Sequence, residues 1–264
     1  MSGDTTYRLV NAVGRGALAA LGVDIRPHGL EHLPRAGPVL LASTHGSFLD
    51  FVVLEKAAIE HGRYVRFMTR YDAWVPPVLS RVMDAMRHVP VDREAPAGAY
   101  LDARRLLRQG EAVGVFPEAG ISHSFTVRAL MRGTAALARE TQVPVLPMAM
   151  WGAQRIATVG DPPPRPDLKR GRVVDVAFGE PRYVGSGKDL TRATAELGHR
   201  MTAMLEELQQ LPHHRPRPGE YAAWYPAHLG GHAPTRTRAL ELETLPLGVL
   251  PPTWGPVTGS GVAS

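Results

Sequence analysis

The stretch PVLLASTHGSFLD, residues 38–50, joins a continuous apolar run to a turn and then to a second apolar segment. An uninterrupted apolar run is typical of a strand that is buried on both faces, as in a parallel sheet. Similar runs recur at residues 64–69, 112–116 and 143–150, and helical patterns lie between them at 78–86, 97–109 and 127–140. The alternation predicts an α/β domain with a mixed, largely parallel sheet flanked by helices.

Changes in apolar pattern and proline content divide the chain into three parts. Residues 1–29 form an N-terminal segment whose helical stripe, at 6–21, suits packing on the domain better than a membrane interface, although both remain open. Residues 30–211 form the α/β domain, which ends in a charged helix at 189–210. Residues 212–264 hold nine of the 24 prolines and predict an irregular tail, docked on the domain or partly disordered.

The composition excludes several classes of chemistry. None of the 264 residues is cysteine, so a thiolate nucleophile and a zinc–thiolate site are ruled out. The net charge of +5 favours anionic partners. The basic residues are scattered and have no aromatic residues between them, which argues against nucleic acid as the partner. The sequence contains neither an apolar stretch of about 18 residues nor an h-region, so we expect a cytoplasmic protein, free or resting on a membrane face.

His45 and Asp50 follow the first apolar run, where side chains of open α/β sheets face a ligand crevice. If Ser47 caps the next helix, Asp50 lies in the first helical turn and can reach the imidazole. The carboxylate would then fix the tautomer of His45 and leave its second nitrogen free to take a proton. Alternatively, His45 closes a strand and Asp50 complements the helix dipole; the local spacing alone favours this structural reading.

A second polar turn, FPEAGIS at residues 116–122, follows another buried strand. We expect this tight turn to expose Glu118, which could hold a hydroxyl, beside backbone N–H groups that, with Ser122, could hold an anion. It is equally consistent with the local sequence that Glu118 is a solvated side chain in an ordinary turn after a strand. Taken with VPVDR at 89–93 and VPVLP at 143–147, however, the two polar turns form an ordered set of four strings.

In the order and spacing of these strings, the chain resembles the glycerolipid acyltransferases of the 1-acylglycerol-3-phosphate (lysophosphatidate) type. The resemblance covers residues 30–180 and implies a glycerol-3-phosphate acyltransferase-like fold. It also implies transfer of a fatty acyl group from acyl-CoA or acyl carrier protein to a lysophospholipid hydroxyl, without metal or redox cofactor. The implied catalytic residues are His45 as general base and Asp50 as its orienting partner; the implied substrate-binding residues are Arg93, Glu118, Gly120, Ser122 and Pro147.

Two positions depart from the family pattern. Ala119 stands where the family has glycine, and we expect Gly120 to supply the missing flexibility. Ile121 stands where a basic residue often precedes the serine, so an acceptor phosphate would depend on Arg93, with Arg70, Arg128 or Arg132 as helpers. The departures leave the acceptor more open than the reaction, and another lysolipid or a glycolipid is an alternative.

Two further functions stay in competition with acyl transfer. Ser122 with His45 and Asp50 would make an esterase, although Ser122 lacks the Gly-x-Ser-x-Gly setting of such nucleophiles. A catalytically silent lipid-binding module is the third possibility. A metal site at His213 and His214 is disfavoured because no acidic cluster accompanies them in the sequence. The expected partners are the acyl donor, the lysophospholipid and an anionic membrane surface, at the inner face of the cell membrane.

Overall fold

Seven strands form one mixed sheet, as the alternation of the sequence predicts. The structure, a computed structural model, describes residues 3–92 and 94–243, with side chains from Tyr7 onward. The strands are β1 (Asp24–His28), β2 (Val39–Ser43), β3 (Val65–Arg70), β4 (Val89–Val91), β5 (Ala112–Val115), β6 (Val145–Trp151) and β7 (Val173–Phe178). Their order in the sheet is β1-β7-β6-β2-β5-β3-β4. Every neighbouring pair is parallel except β6–β7, which is antiparallel.

Helices cover both faces of the sheet because its inner strands are apolar on both sides. The helices are α1 (Gly3–Ala20), α2 (Asp50–Glu60), α3 (Pro77–Ala85), α4 (Ala97–Arg108), α5 (Gly133–Thr141), α6 (Leu190–Gln209) and α7 (Arg236–Leu242). Leu41 of β2 and Met148 of β6 pack against α2 on one face. Leu40 of β2 packs against α4 and α5 on the other face. The strand period of two therefore divides β2 and β6 between two cores.

A third core joins α6 to the chain that follows it. Trp151 of β6 packs with Met201 and Leu208 of α6, and Tyr225 joins them from the segment after α6. Residues 212–243 contain two short 3-10 helices (Pro212–His214 and Ala227–Leu229) and α7, with irregular chain between them. This part of the Pro/Gly-rich tail lies over the sheet; residues 244–264 are outside the described chain.

One predicted helix begins later than expected, because the pattern from residue 127 becomes helical only at Gly133. Strand β7 is mostly buried, because β1 pairs with it and α6 contacts it. Strand β1 was not predicted, because DIRPH shows no apolar alternation. Its Pro27 is tolerated because β1 is an edge strand.

The N-terminal helix α1 packs on the domain. The Tyr7 hydroxyl donates to Val65 O at 3.0 Å and accepts from Val65 N–H at 3.1 Å, and Leu18 is also buried. Among residues 3–92 and 94–243, no helix combines the length and the apolar character that a bilayer crossing needs.

Candidate active site

The two polar turns of the sequence meet at one edge of the sheet. Strands β2 and β5 are parallel neighbours, with Ala42 beside Val115 in register, so their carboxyl ends lie side by side. His45 follows the end of β2, and Phe116 to Ser122 follow the end of β5. Such an edge of an open α/β sheet is where ligands commonly bind.

His45 and Asp50 form the contact that the sequence suggested. His45 Nδ1 lies 2.9 Å from Asp50 Oδ2, and the same oxygen accepts the N–H groups of Gly46 and Ser47 at 2.8 Å each. Three N–H groups around one carboxylate oxygen favour the Nδ1–H tautomer of His45. Nε2 of the imidazole is then the nitrogen with a free lone pair, on a side chain that is 19% exposed.

Ser47 does not cap α2 as expected. The helix begins at Asp50, and Leu49 occupies the capping position without a side-chain hydrogen bond. The Ser47 hydroxyl instead donates to Ala157 O at 2.6 Å and accepts the Leu49 N–H at 3.1 Å. Ser47 therefore anchors the His45 turn to the loop after β6, and Asp50 still reaches the imidazole because the chain between them is a tight turn.

Phe116 holds the imidazole of His45 from its face. The two rings stack with centroids 4.2 Å apart and planes 21° apart. Phe116 stacks in turn on Phe67 of β3, with centroids 6.1 Å apart. Gly114 makes room for Phe67, because a Cβ atom at this position would lie 2.6 Å from the Phe67 ring. The imidazole is thus fixed at its edge by Asp50 and at its face by an aromatic stack.

Glu118 is buried, against the prediction of an exposed carboxylate. Its Oε1 accepts the His45 N–H at 2.8 Å, and its Oε2 accepts the Arg128 N–H at 2.7 Å. Burial raises the pKa of Glu118 to about 8, although the two backbone N–H groups lower it. The turn buries this carboxylate because both of its oxygens satisfy backbone donors. Glu118 therefore joins the His45 turn to the chain before α5.

Ala119, not Gly120, adopts the unusual backbone conformation in the FPEAGIS turn. Ala119 has φ of 53°, in the left-handed region that glycine adopts more readily. The expectation that Gly120 supplies this flexibility is wrong. Gly120 is needed for close packing instead, because a Cβ atom there would lie 2.2 Å from Nη1 of Arg128. The Arg128 guanidinium also pairs with Glu243, with Nε 2.9 Å from Oε2, so this arginine is already engaged.

Ser122 is buried and engaged through both its backbone and its hydroxyl. The Ser122 N–H donates to His45 O at 2.9 Å, and Ser122 Oγ donates to Thr126 O at 2.7 Å. The His45 peptide groups thus hold the two turns together, with Glu118 on the N–H and Ser122 on the carbonyl. The Ser122 hydroxyl is directed to the Thr126 carbonyl rather than to the imidazole.

Arg93 and Pro147 are the two remaining residues that the sequence analysis placed at the substrate. Arg93 lies outside the described residues, two positions after β4 ends at Val91. Pro147 is buried within β6, beside Ala42 in register, and its carbonyl accepts the Gly179 N–H at 2.8 Å. Of the predicted helper arginines, Arg70 pairs with Asp72 at 2.6 Å on the surface.

Comparison with known proteins gives the same family as the four strings. Residues 24–151 match the Acyltransferase family. This part of the chain is similar to an acyltransferase domain. Two chloroplastic 1-acyl-sn-glycerol-3-phosphate acyltransferases, from Brassica napus and Arabidopsis thaliana, are 31% and 30% identical over 136 and 140 residues. These alignments cover 50% and 52% of this chain and only 38% of each plant protein.

Two further relatives match over more of their length. A 1-acyl-sn-glycerol-3-phosphate acyltransferase of Bacillus subtilis is 24% identical over 194 residues, 71% of this chain and 91% of that protein. The crystal structure of the 1-acyl-sn-glycerophosphate acyltransferase PlsC from Thermotoga maritima superposes with a TM-score of 0.66 at 20% identity. It covers 77% of this chain and 80% of that chain, which confirms the fold.

A basic cavity of about 790 Å³ is lined in part by neighbours of the two turns. His123, next to Ser122, lines it, as does Thr158, whose hydroxyl donates to Gly46 O at 2.7 Å. Trp224 forms part of the wall, with the Arg155 guanidinium 3.8 Å from its ring centroid. The charged lining residues are six basic (Arg155, Arg165, Lys169, Arg172, Arg217 and Arg238) and three acidic (Asp161, Asp167 and Glu220). Its volume and charge suit an anionic ligand.

A histidine cluster that the sequence did not predict lies at the β1–β7 side of the sheet. Asp175 of β7 is buried and contacts His28, His213 and His214. The sequence shows no acidic cluster beside His213 and His214, but the fold brings one acidic residue, Asp175, to both of them. Asp175 is 38 and 39 residues away from them in sequence, which is why spacing gave no signal.

Proposed function

We propose that the protein transfers a fatty acyl group from a thioester donor to the free hydroxyl of 1-acylglycerol-3-phosphate, giving phosphatidate. The observation that carries this proposal is the His45–Asp50 pair within a part of the chain that is similar to an acyltransferase domain, with Nδ1 tied to the carboxylate at 2.9 Å. The chain spans 38% of the length of its plant relatives, whose names describe this acceptor. The Bacillus subtilis relative, covered over 91% of its length, carries the same name.

In the proposed mechanism His45 acts as a general base. Nε2 removes the proton of the acceptor hydroxyl as its oxygen attacks the carbonyl carbon of the thioester. The tetrahedral intermediate then collapses, the carbon–sulfur bond breaks, and the imidazolium returns the proton to the leaving thiolate. General base catalysis contributes about 10²–10⁴-fold to such a step. Asp50 supports it by holding the Nδ1–H tautomer and stabilising the imidazolium, so no covalent acyl-enzyme is needed.

The burial of Glu118 and Ser122 supports a positioning role for both residues. Their polar atoms bond to the turn peptides and to Thr126, which leaves little for the acceptor. Arg93 remains the proposed contact of the acceptor phosphate, where a charge-assisted bond would be stronger than a neutral one. Pro147 would act only through the packing of β6.

The basic cavity supports acyl-CoA over acyl carrier protein as the donor. Its excess of three positive charges matches the phosphates of coenzyme A, and it is lined in part by neighbours of the two turns without including the imidazole. We expect acyl-CoA to be used with a lower KM than dephospho-acyl-CoA of equal chain length, because the 3′-phosphate is lost. Equal KM values would remove the cavity from this role and leave acyl transfer untouched.

Exposed apolar residues on and near α1 and α3 support action at a membrane surface. Leu9 and Val13 of α1, with Val75 and Val78 near α3, are all more than half exposed, and α1 contacts α3. Arg15 and Arg81 lie on the same two helices and would attract anionic lipid. We propose a peripheral enzyme at the inner face of the cell membrane. Val78→Asp should reduce sedimentation with phosphatidylglycerol vesicles, whereas equal sedimentation would exclude this surface.

The decisive experiment is acyl transfer by the purified chain. Labelled acyl-CoA is offered with a panel of lysophospholipids and glycolipids, and products are identified by mass spectrometry. We expect phosphatidate from 1-acylglycerol-3-phosphate and loss of product with His45→Ala. Transfer to a different acceptor would correct the headgroup. Free fatty acid without acceptor, abolished by Ser122→Ala, would support the esterase, and vesicle binding without thioester consumption would support the silent lipid-binding module.

A further inference from the structure

Three histidines converge on one buried carboxylate away from the His45 turn. Asp175 Oδ2 lies 2.7 Å from His213 Nε2 and 2.8 Å from His214 Nε2, and Asp175 Oδ1 lies 2.5 Å from His28 Nε2. The four residues come from β7, from β1 and from the 3-10 helix after α6. The mechanism proposed above uses none of them.

We propose that His213, His214 and Asp175 form a binding site for a divalent transition-metal ion, with zinc as the best match. The two Nε2 atoms and a carboxylate oxygen all lie within 4.8 Å of one another. Two imidazoles and one carboxylate are a donor set that zinc accepts, with bonds of about 2.0–2.2 Å. Ligand atoms around tetrahedral zinc are about 3.3 Å apart, so each imidazole would move away from the Asp175 oxygen by roughly half an ångström.

His28 completes the arrangement on the second carboxylate oxygen. A metal-bound carboxylate is commonly hydrogen-bonded by an outer partner that fixes its orientation, and His28 has that position here.

Metal binding changes the hydrogen-bonding role of the two imidazoles, because a neutral imidazole binds a metal ion through a nitrogen lone pair. Without metal, each Nε2–H can donate to Asp175, because one carboxylate accepts several hydrogen bonds. Binding the ion requires the imidazole protons to lie on Nδ1, with the Nε2 lone pairs directed at the metal. The change is one of tautomer and needs no rearrangement of the backbone.

The cluster is open to solvent on one side. The side chains of His28 and His213 are 49% and 33% exposed, whereas those of Asp175 and His214 are almost fully buried. An ion can therefore enter past His213. Once bound, it would fasten the segment after α6 to β7, next to Trp151, whose ring meets that of His214 edge-on at 6.5 Å. The expected consequence is a structural ion that stabilises the docked tail.

The test uses the full chain after removal of metals with a chelator. Zinc is titrated by calorimetry, and bound zinc is counted by elemental mass spectrometry after gel filtration. We expect one zinc ion per chain, a higher melting temperature with zinc, and visible absorption of tetrahedral geometry with Co²⁺. His213→Asn, at a partly exposed position that should not disturb folding, should weaken zinc binding by about 10–100-fold and abolish the Co²⁺ absorption.

His228→Asn is the matched control, because His228 lies on the neighbouring 3-10 helix and pairs only at long range, 3.5 Å, with Glu206. This variant should bind zinc like the unmodified chain. Less than about 0.1 zinc ion per chain after gel filtration would overturn the proposal. Equal zinc affinity of the unmodified chain and His213→Asn, with equal circular dichroism spectra, would overturn it as well. Neither readout measures acyl transfer, so the zinc site and the proposed acyltransferase activity are tested independently.

Discussion

Asp50→Asn provides the sharpest test of the His45–Asp50 pair. The asparagine keeps the shape of the side chain, and its carbonyl oxygen can still accept the N–H groups of Gly46 and Ser47, which Asp50 Oδ2 accepts at 2.8 Å. What is lost is the negative charge 2.9 Å from Nδ1 of His45. A hydrogen bond to a charged group contributes about 1.5–3 kcal/mol, roughly twice a neutral one.

The loss of this charge acts mainly on the transition state, where the imidazole becomes an imidazolium. The asparagine oxygen can still accept the Nδ1–H, so the loss is the difference between a charged and a neutral bond, about 1–1.5 kcal/mol; at about 1.4 kcal/mol per factor of ten this lowers kcat by about 5–12-fold. Population of the wrong tautomer adds to this loss, up to the 10²–10⁴-fold that general base catalysis contributes. Asp50→Ala should be less stable than Asp50→Asn, because it also leaves the two backbone N–H groups without their acceptor.

The assay is the initial rate of phosphatidate formation, measured for Asp50→Asn, His45→Ala and the double variant, with melting temperatures as the folding control. If Asp50 acts through the imidazole, the double variant should be no slower than His45→Ala alone. A double variant slowed by the full product of the two single effects would show that Asp50 acts elsewhere. A rate for Asp50→Asn within about threefold of the unmodified rate would refute the whole assignment.

Three further variants test the aromatic stack and the FPEAGIS turn. Ala119→Gly should raise the free energy of unfolding by about 1 kcal/mol in urea titration, because Ala119 has φ of 53°; a decrease would show that the turn is unstrained. Gly114→Ala should lower it by about 1–3 kcal/mol and also lower kcat, because the new Cβ would displace Phe67 beneath Phe116; unchanged stability would contradict this packing. Glu118 has a pKa of about 8 when folded and near 4.5 otherwise, so the folded chain binds the extra proton between these values. Stability should therefore fall with rising pH by up to about 1.4 kcal/mol per unit across this window, and Glu118→Gln should remove that slope; an unchanged slope would assign it to other groups.

The parallel sheet and the His45–Asp50 contact could be predicted from sequence because both depend on short-range patterns. Apolar runs identify β2, β5 and β6, and parallel neighbours place the carboxyl ends of β2 and β5 at one edge. The turn between β2 and α2 is short, so the five-residue spacing suffices to bring the carboxylate to the imidazole. The spacing makes the contact possible, although the choice of a catalytic over a structural reading depended on the other three strings, at 89–93, 116–122 and 143–147.

The parts that the sequence did not predict depend on distant partners. The helical pattern from residue 127 fails because the Arg128 N–H donates to buried Glu118 and the Met131 N–H donates to Pro117 O. Those donors are therefore unavailable to a helix before Gly133. The burial of Glu118 has the same cause, since a glutamate in a turn looks solvated until its two backbone donors are known. The Asp175 cluster, too, joins residues that are up to 147 positions apart.

The central element of the candidate site is the peptide of His45 as much as its side chain. Glu118 accepts the N–H of this residue, and the Ser122 N–H donates to its carbonyl. The FPEAGIS turn therefore holds the backbone of the His45 turn at the residue that carries the imidazole. Asp50 then fixes the edge of the ring and Phe116 its face. A base that takes a proton from a bound hydroxyl must not swing away, since a misplacement of about 1 Å can cost about 10²-fold in rate. The FPEAGIS turn therefore needs no contact with substrate to account for its glutamate and its serine: both are explained by the position they impose on His45.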